Sequence, residues 1–313
     1  MTILPRGVGF ATGKAVYQSE LSLRFGRLVI AFRGAARDDR FSIEDTHIPF
    51  VVPSDTPAHL DLTCGIAPIR SPNGTIAFSA GRSWDLWRQT DGSEDIVFRG
   101  GAEFSTDVWH LRLDSTFRTG SLSEAPVMGD GFIRADGYPL LEYIVARQLA
   151  RHDGALIHAS TAIIDGGAYV FVGHSGAGKS TIAAIAESAG AKIPTDDRTI
   201  LTAGDSVPMG WGTPWHGSLV RKSPEGAPLR CIYLLQQARE NRCEPLSPGH
   251  AVKELFVRLI QPRLHGAEIQ QTLHVLESIV EQVPAAVLHF RPTEAAFEMA
   301  LSHAGSSRWF LQR

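Results

Sequence analysis

The hydrophobic positions of this chain change their spacing once. From residue 1 to about 125 the apolar runs are short and interrupted, as in "LSLRFGRLVIAF", "GTIAFSAG", "EDIVFRG" and "FSTDVWHLRLD". Glycine, proline and an Asp-Gly step at 91–92 separate them. Short runs divided by turn residues predict a meander of antiparallel strands. Trp84 and Trp87, in "SWDLWRQTDG", are expected to close the core of that β-layer rather than to form an aromatic recognition surface.

Helical spacing opens the remainder. "DGYPLLEYIVARQLARHDG" puts Pro139 at the first helical position, repeats apolar residues at Leu141, Ile144, Val145 and Leu149, and stops at Gly154. "ALIHASTAII", a "DGG" turn at 165–167 and "AYVFVG" then read as a β-hairpin, and "KSTIAAIAESAG" as a helix with Ile182, Ile185 and Ala189 on one face. "CIYLLQQ" predicts a buried strand, and "LSPGHAVKELFVRLI" a helix with Ser247 as N-cap and Pro248 at its first position. "AEIQQTLHVLESIVEQV" is a helix ended by Pro284, "AAVLHF" a strand and "RPTEAAFEMALSHA" a closing helix. The terminal "RWFLQR" is expected to dock its aromatics on the domain or on a neighbouring subunit, the latter in a homo-oligomer. The expected organisation is a β-rich domain over 1–125 and an α/β domain with a mixed sheet over 126–313.

Composition narrows the class without choosing it. A length of 313 residues suits two domains, and 43% hydrophobic with 20% charged residues describes an ordinary globular chain. The net charge of −3 gives no reason to expect nucleic acid or an anionic membrane as a partner. No apolar run has the length of a membrane span, and "MTILPRGVGFATG" lacks a secretory apolar region. Cys64, Cys231 and Cys243 are odd in number and far apart, which predicts reduced thiols in a cytoplasm rather than disulfides or a zinc site.

Chemistry is concentrated in "GHSGAGKST", residues 173–181. Gly173, Gly178, Lys179 and Ser180 match the phosphate-loop spacing G-x-x-x-x-G-K-[ST]. Glycines let the backbone N–H groups of Gly173, His174, Ser175, Gly176, Ala177 and Gly178 close on phosphate oxygens. Lys179 reaches the β- and γ-phosphates, and the Ser180 hydroxyl, followed by Thr181, meets Mg²⁺. A strand before the loop and a helix after it supply the context such a site requires. Asp196 and Asp197 follow, at the end of the strand-like "AKIPTDD". Adjacent acids on extended backbone face opposite ways. One could hold Mg²⁺ while the other acts as general base toward a hydroxyl, and the spacing does not say which.

The stretch "LIHASTAIIDGGAYVFVGHSGAGKSTIAAIAESAGAKIPTDDRTIL" resembles the catalytic domain of HPr kinase/phosphorylase and its HPr-kinase-like relatives. A histidine opens the hairpin, the phosphate loop follows, and a short helix leads to an Asp-Asp strand end. The resemblance is tight over 155–203 and loose beyond. It implies the phosphoenolpyruvate-carboxykinase-type P-loop fold, ATP with Mg²⁺, and phosphoryl transfer to a serine of a protein or peptide substrate. His158 matches the hairpin histidine, which implies that it orients an acid or touches phosphate. Two departures stand out: Thr181 replaces the glutamate usual after the loop serine, and the glycine-rich C-terminal signature is missing. Phosphorylase activity is therefore not expected.

Two further groups draw attention. "WGTPWHGS" (211–218) is either a loop over the nucleotide or acceptor, or a turn anchored by Trp211 and Trp215, with His216 beside them. Arg221 and Lys222 follow, and a cation there would stabilise a transferring phosphoryl group. The alternatives to a protein kinase are a kinase acting on a small hydroxyl compound and a nucleotide-sensing protein without catalysis.

Overall fold

The computed structural model describes residues 9–11, 13–100, 106–204, 207–215, 217–218, 222–260 and 266–306. His216, Arg221 and the closing "RWFLQR" lie outside the described residues. The chain forms two units, Met1–Ile144 and Val145–Arg313.

In the first unit the strands begin with β1 (Gly9–Ala11), β2 (Lys14–Gln18), β3 (Glu20–Phe25), β4 (Leu28–Gly34), β5 (Arg40–Glu44) and β6 (Val51–Val52). They continue with β7 (Leu60–Ile66), β8 (Ile76–Ser79), β9 (Trp84–Arg88), β10 (Glu94–Arg99), β11 (Asp107–Leu113) and β12 (Thr119–Glu124). β1, β2 and β5 form a small sheet, and the other nine lie in the order β6-β3-β4-β7-β12-β11-β10-β9-β8.

From β8 to β12 every chain neighbour pairs antiparallel, as the punctuated pattern predicts. The prediction of a purely antiparallel meander fails at β7, which runs parallel to both β4 and β12. After β4 the chain leaves this sheet to place β5 in the small one, so β7 returns beside β4 in the same direction. The four reversals from β8 to β12 then bring β12 alongside β7. Trp84 packs on Phe78 and Tyr143 with ring centroids 5.1 and 5.2 Å apart, and Trp87 is buried.

Helix α1 (Leu140–Leu149) carries the chain from one unit into the other. Its first turn is set by Tyr143 N–H donating to the Pro139 carbonyl, so Pro139 sits just ahead of the first assigned helical residue.

The second unit opens with β13 (Gly154–Ile164), β14 (Gly167–Val172), α2 (Lys179–Ser188), β15 (Lys192–Thr195), β16 (Arg198–Thr202) and β17 (Met209–Trp211). It closes with β18 (Gly226–Gln237), β19 (Arg242–Pro245), α3 (Pro248–Phe256), α4 (Gly266–Gln282), β20 (Ala285–Phe290) and α5 (Glu294–Ser306). The hairpin is present: Asp165 and Gly166, both at positive φ (50° and 70°), join β13 to β14 in a two-residue turn. Such a turn matches the twist of its strands.

β14 also pairs parallel with β18, so the strand feeding the phosphate loop lies in a mixed sheet. Its alternate residues separate two cores. Ala168, Val170 and Val172 join Leu255 of α3 and Leu276 and Ile279 of α4. Phe171 joins Ile182 and Ala186 of α2 and Phe297 and Ala300 of α5. This α/β unit therefore has helices on both faces of its sheet. Among the described residues no helix is long and apolar enough to cross a membrane.

The two longest strands bend and change partners. β13 pairs with β16 through residues 154–158 and with β14 through 159–164. β18 pairs with β17 through 226–228 and with β14 from 229 onward. With β16 paired to β17, the pairing β14-β13-β16-β17-β18-β14 closes on itself. The change of partner in β13 falls at His158.

Candidate phosphate-binding and phosphoryl-transfer site

The loop between β14 and α2 is shaped from behind. At Gly173 a Cβ would stand 2.6 Å from Ala177 Cβ, so no larger residue fits. Gly176 (φ +80°) and Gly178 (φ +103°) occupy backbone that other residues avoid. A Cβ on Gly178 would also stand 2.5 Å from Phe290 Cζ. From the end of β18, Gln237 Nε2 donates to the Gly176 carbonyl at 3.0 Å. His174, Ser175, Gly176 and Thr181 are exposed, Gly178 and Ser180 are half-buried, and Ala177 is buried.

Lys179 opens α2 and turns back into the loop. Its ammonium donates to the Gly173 and His174 carbonyls at 3.0 and 3.2 Å. The group lies buried at the mouth of the cradle, where an anion would meet it. Burial lowers its proton affinity most. Asp197 and Asp196 act the other way, and Arg258 adds to the lowering. Ser160 Oγ donates to the Lys179 carbonyl at 3.4 Å, tying the start of α2 to β13.

The turn between β15 and β16 docks where β13 changes partners, with Ala159 N–H donating to the Asp197 carbonyl at 3.1 Å. The two carboxylates then diverge. Asp197 Oδ1 lies 3.2 Å from His158 Nδ1, and Oδ2 accepts from Arg198 Nη1. Burial and then the Lys179 charge lower the proton affinity of His158, while Asp197 pulls it back up. The imidazole is therefore mainly neutral at neutral pH, and its approach to Asp197 Oδ1 is a close polar contact rather than a standing ion pair.

Asp196 faces the opposite way and is fully occupied. It accepts from Lys222 Nζ at 2.6 Å, Gly217 N–H at 3.1 Å, Ser218 N–H at 2.8 Å and Ser218 Oγ at 3.3 Å. Both charged side chains are sealed from water. Lys222 thus lies against the acid pair as an ion-pair partner.

The indoles of the 211–215 stretch are anchored. Trp211 Nε1 donates to Thr202 Oγ1 at 3.1 Å, its ring fills the space over Gly226, and Trp215 is buried. Sequence reasoning did not single out Arg198 or Arg258. Arg198 had a local signal, since it directly follows the acid pair. Arg258 had none, because it reaches the site from the far end of α3.

Lys179, His158 and Asp197 are thus brought together, and Asp196 is turned away into a buried pair. Among the described residues no three His, Cys, Asp or Glu side chains are grouped to hold a metal ion. Mg²⁺ in phosphoryl-transfer sites takes one or two carboxylates plus phosphate oxygens and water, so a serine hydroxyl with one half-buried carboxylate is a donor set that fits it.

No family model matches the chain, and no curated protein matches it. Among solved structures it is similar to the Hpr(Ser) kinase/phosphatase from Coxiella burnetii, at 12% identity over 50% of this chain and 99% of that one, with a TM-score of 0.27. At that TM-score the overlap says nothing about activity, and the site has to be read from its own geometry.

Proposed function

We propose that the second unit is an ATP-dependent kinase of the HPr-kinase-like, phosphoenolpyruvate-carboxykinase-type P-loop class. It transfers the γ-phosphoryl group, with Mg²⁺, to a serine hydroxyl of a protein or peptide. One observation carries this reading: Asp197, held by His158 and within electrostatic reach of Lys179, stands beside a phosphate loop. A nucleotide sensor needs the loop and the lysine but no carboxylate–imidazole pair next to them.

In this reading the backbone N–H groups of residues 173–178 and the Lys179 ammonium hold the phosphates, and Ser180 with Asp197 is the metal-facing pair. The bound nucleotide and metal supply the transferable group and neutralise its charge. Asp197 Oδ1 accepts the proton of the acceptor hydroxyl, and His158 Nδ1 fixes the orientation of that oxygen. Asp196 acts indirectly, by anchoring the stretch that carries Gly217, Ser218 and Lys222. Such an enzyme would work in the cytoplasm, where the unpaired Cys64, Cys231 and Cys243 stay reduced.

The test is transfer itself. Protein is incubated with γ-labelled MgATP and a library of serine peptides or lysate proteins, and phosphoserine is read by mass spectrometry. Label on serine with the wild type and not with Lys179→Ala is the expected result. Label released only as inorganic phosphate would sink the kinase reading.

A further inference from the structure

We propose that the hydroxyls of Thr195 and Thr213 are the positioning groups of this site. Together they hold the Arg198 carbonyl and so set where the Asp197 carboxylate stands; the inference rests on the kinase reading above.

The register of the sheet brings both threonines to the acid turn. β16 pairs antiparallel with β17, with Ile200 opposite Trp211. Carried two residues further, that register sets Thr213 opposite Arg198. The ladder itself does not reach so far: β17 ends at Trp211, and Pro214 has no N–H to continue it. Side chains take over instead. Thr213 Oγ1 donates to the Arg198 carbonyl at 2.6 Å, and Thr195 Oγ1, from the end of β15, donates to the same oxygen at 2.7 Å. Arg198 N–H donates back to Thr195 Oγ1 at 3.4 Å. Hydroxyls thus serve both backbone groups of Arg198, where a neighbouring strand would ordinarily do so.

Asp196 and Asp197 are the two residues enclosed by this clamp. Thr195 stands before them and Arg198 after them, so the Thr195 hydroxyl closes the turn on itself. Ala159 N–H holds the Asp197 carbonyl from β13 at 3.1 Å. Arg198 then donates from Nη1 to Asp197 Oδ2, while Oδ1 lies 3.2 Å from His158 Nδ1. Fixing the Arg198 backbone therefore fixes the root of the guanidinium that grips the carboxylate. The stretch leaving β17 holds the same turn at two points, through Thr213 on Arg198 and through Gly217 and Ser218 on Asp196.

The residue type fits this task better than it fits packing. Thr195 and Thr213 are completely buried, as are Thr161 and Thr199 nearby. A buried hydroxyl has to be hydrogen-bonded, and valine would fill the same space without that demand. What the hydroxyl adds is a directional bond to one carbonyl oxygen, whose two lone pairs match the two donors. Thr161 and Thr199 form a separate pair at 2.8 Å, and Thr199 donates onward to the Ala159 carbonyl at 3.1 Å. Thr161 thus has the same burial without touching the acid turn. A group that takes a proton in the reaction loses much of its effect when displaced by an ångström.

The test is kcat of the full chain per folded molecule, at saturating MgATP with excess Mg²⁺, on an acceptor that the wild type labels. Thr195→Val and Thr213→Val each leave one donor on the carbonyl, and each should slow transfer by less than about tenfold. The double variant leaves none and should slow it by about a hundredfold, more than the two single losses combined. Replacing both threonines by serine keeps the hydroxyls and should return most of the rate. In an Asp197→Asn background the two valines should cost little further rate, because they act through that carboxylate. Thr161→Val should lower the melting temperature and keep kcat. A folded double-valine variant with wild-type kcat overturns the proposal. So do equal losses with Asp197 and with Asn at that position, or a loss that serine does not restore. If the double variant does not fold, the single variants in the two backgrounds decide in the same way. A wild type that labels no acceptor overturns the kinase reading and this role with it, whereas an active wild type with an equally active double variant overturns this role alone.

Discussion

The Asp196 carboxylate and the Lys222 ammonium meet at 2.6 Å with neither side chain exposed to water. They are 26 residues apart, and the pair closes the stretch leaving β17 onto the turn that carries Asp197. A buried ion pair gains little over an apolar pair of the same shape, but half of one is costly. This makes Asp196 a structural acid standing directly beside the carboxylate proposed to do the chemistry.

Asp196→Asn should therefore act on stability first. It leaves a buried ammonium without its counter-charge, at about 3–5 kcal/mol. Adding Lys222→Met should return a large part of that loss, because the stranded charge is gone. Denaturant unfolding of the two single variants and the double variant measures the coupling. Additive losses would mean that the two side chains do not depend on each other.

The loop glycines should separate by what stands behind them. Gly176→Ala meets open space and pays only for its left-handed backbone, about 1 kcal/mol or more. Gly178→Ala has the same backbone problem and drives its Cβ into the Phe290 ring. It should lose more stability and most MgATP affinity, since the ring is held in the core between β20 and α5. Equal effects of the two substitutions, read by melting and by nucleotide titration, would show that the ring yields.

Much of this site was legible locally. The glycine spacing marked the loop, and the Asp165-Gly166 turn marked the hairpin that makes the sheet mixed. Ser247 and Pro248 marked the start of α3, although the Ser247 side chain makes no cap hydrogen bond. Elements decided by distant partners were not legible. The apolar run through "FVRLI" continues the helical pattern, yet α3 stops at Phe256 because 258–260 pair with β13. β18 begins at Gly226, ahead of the run "CIYLLQQ", because its first residues pair with β17. Asp196 and Asp197 look equivalent in sequence. Lys222 and His158, which tell them apart, are brought in by the bend of β13 and the return of the chain from β17.

In the first unit, Asp136 gives a pH signature of its own. Burial raises its pKa from 3.8 to about 6, even though Glu44 N–H donates to it at 2.7 Å. The carboxylate is the disfavoured form in the fold. Above pH 6 the folded state carries the full penalty, about 3 kcal/mol for a pKa raised from 3.8 to about 6. Between pH 6 and 3.8 the folded state takes up a proton before the unfolded chain does, so this contribution to stability rises as pH falls. Asp136→Asn should raise the melting temperature at pH 7.5, and its advantage should shrink toward pH 4.5. An advantage that does not change with pH would mean that the side chain acts through packing.

Asp197 provides the last and most direct test of chemistry. Asparagine keeps the shape and can still accept from Arg198 through its one amide oxygen, but it cannot take a proton. If Asp197 is the base, Asp197→Asn should slow phosphoryl transfer by about 10²–10⁴-fold at saturating MgATP; because the same carboxylate faces the metal, MgATP binding should also weaken and be partly recovered by raising Mg²⁺. His158→Gln should slow transfer less, since it removes the group that orients the base and leaves the base in place. The two variants should also differ in pH dependence. Burial and the Lys179 charge hold the His158 pKa below its ordinary 6.5. Wild-type transfer should therefore stay level down through neutrality and fall only at lower pH, when the imidazole beside Asp197 becomes protonated. That acid limb should move or vanish in His158→Gln. Transfer rates, MgATP affinities and melting temperatures of both variants across pH 5 to 8 give the answer. If transfer by Asp197→Asn keeps the wild-type rate while the protein stays folded, the carboxylate takes no proton and the hydroxyl is activated elsewhere.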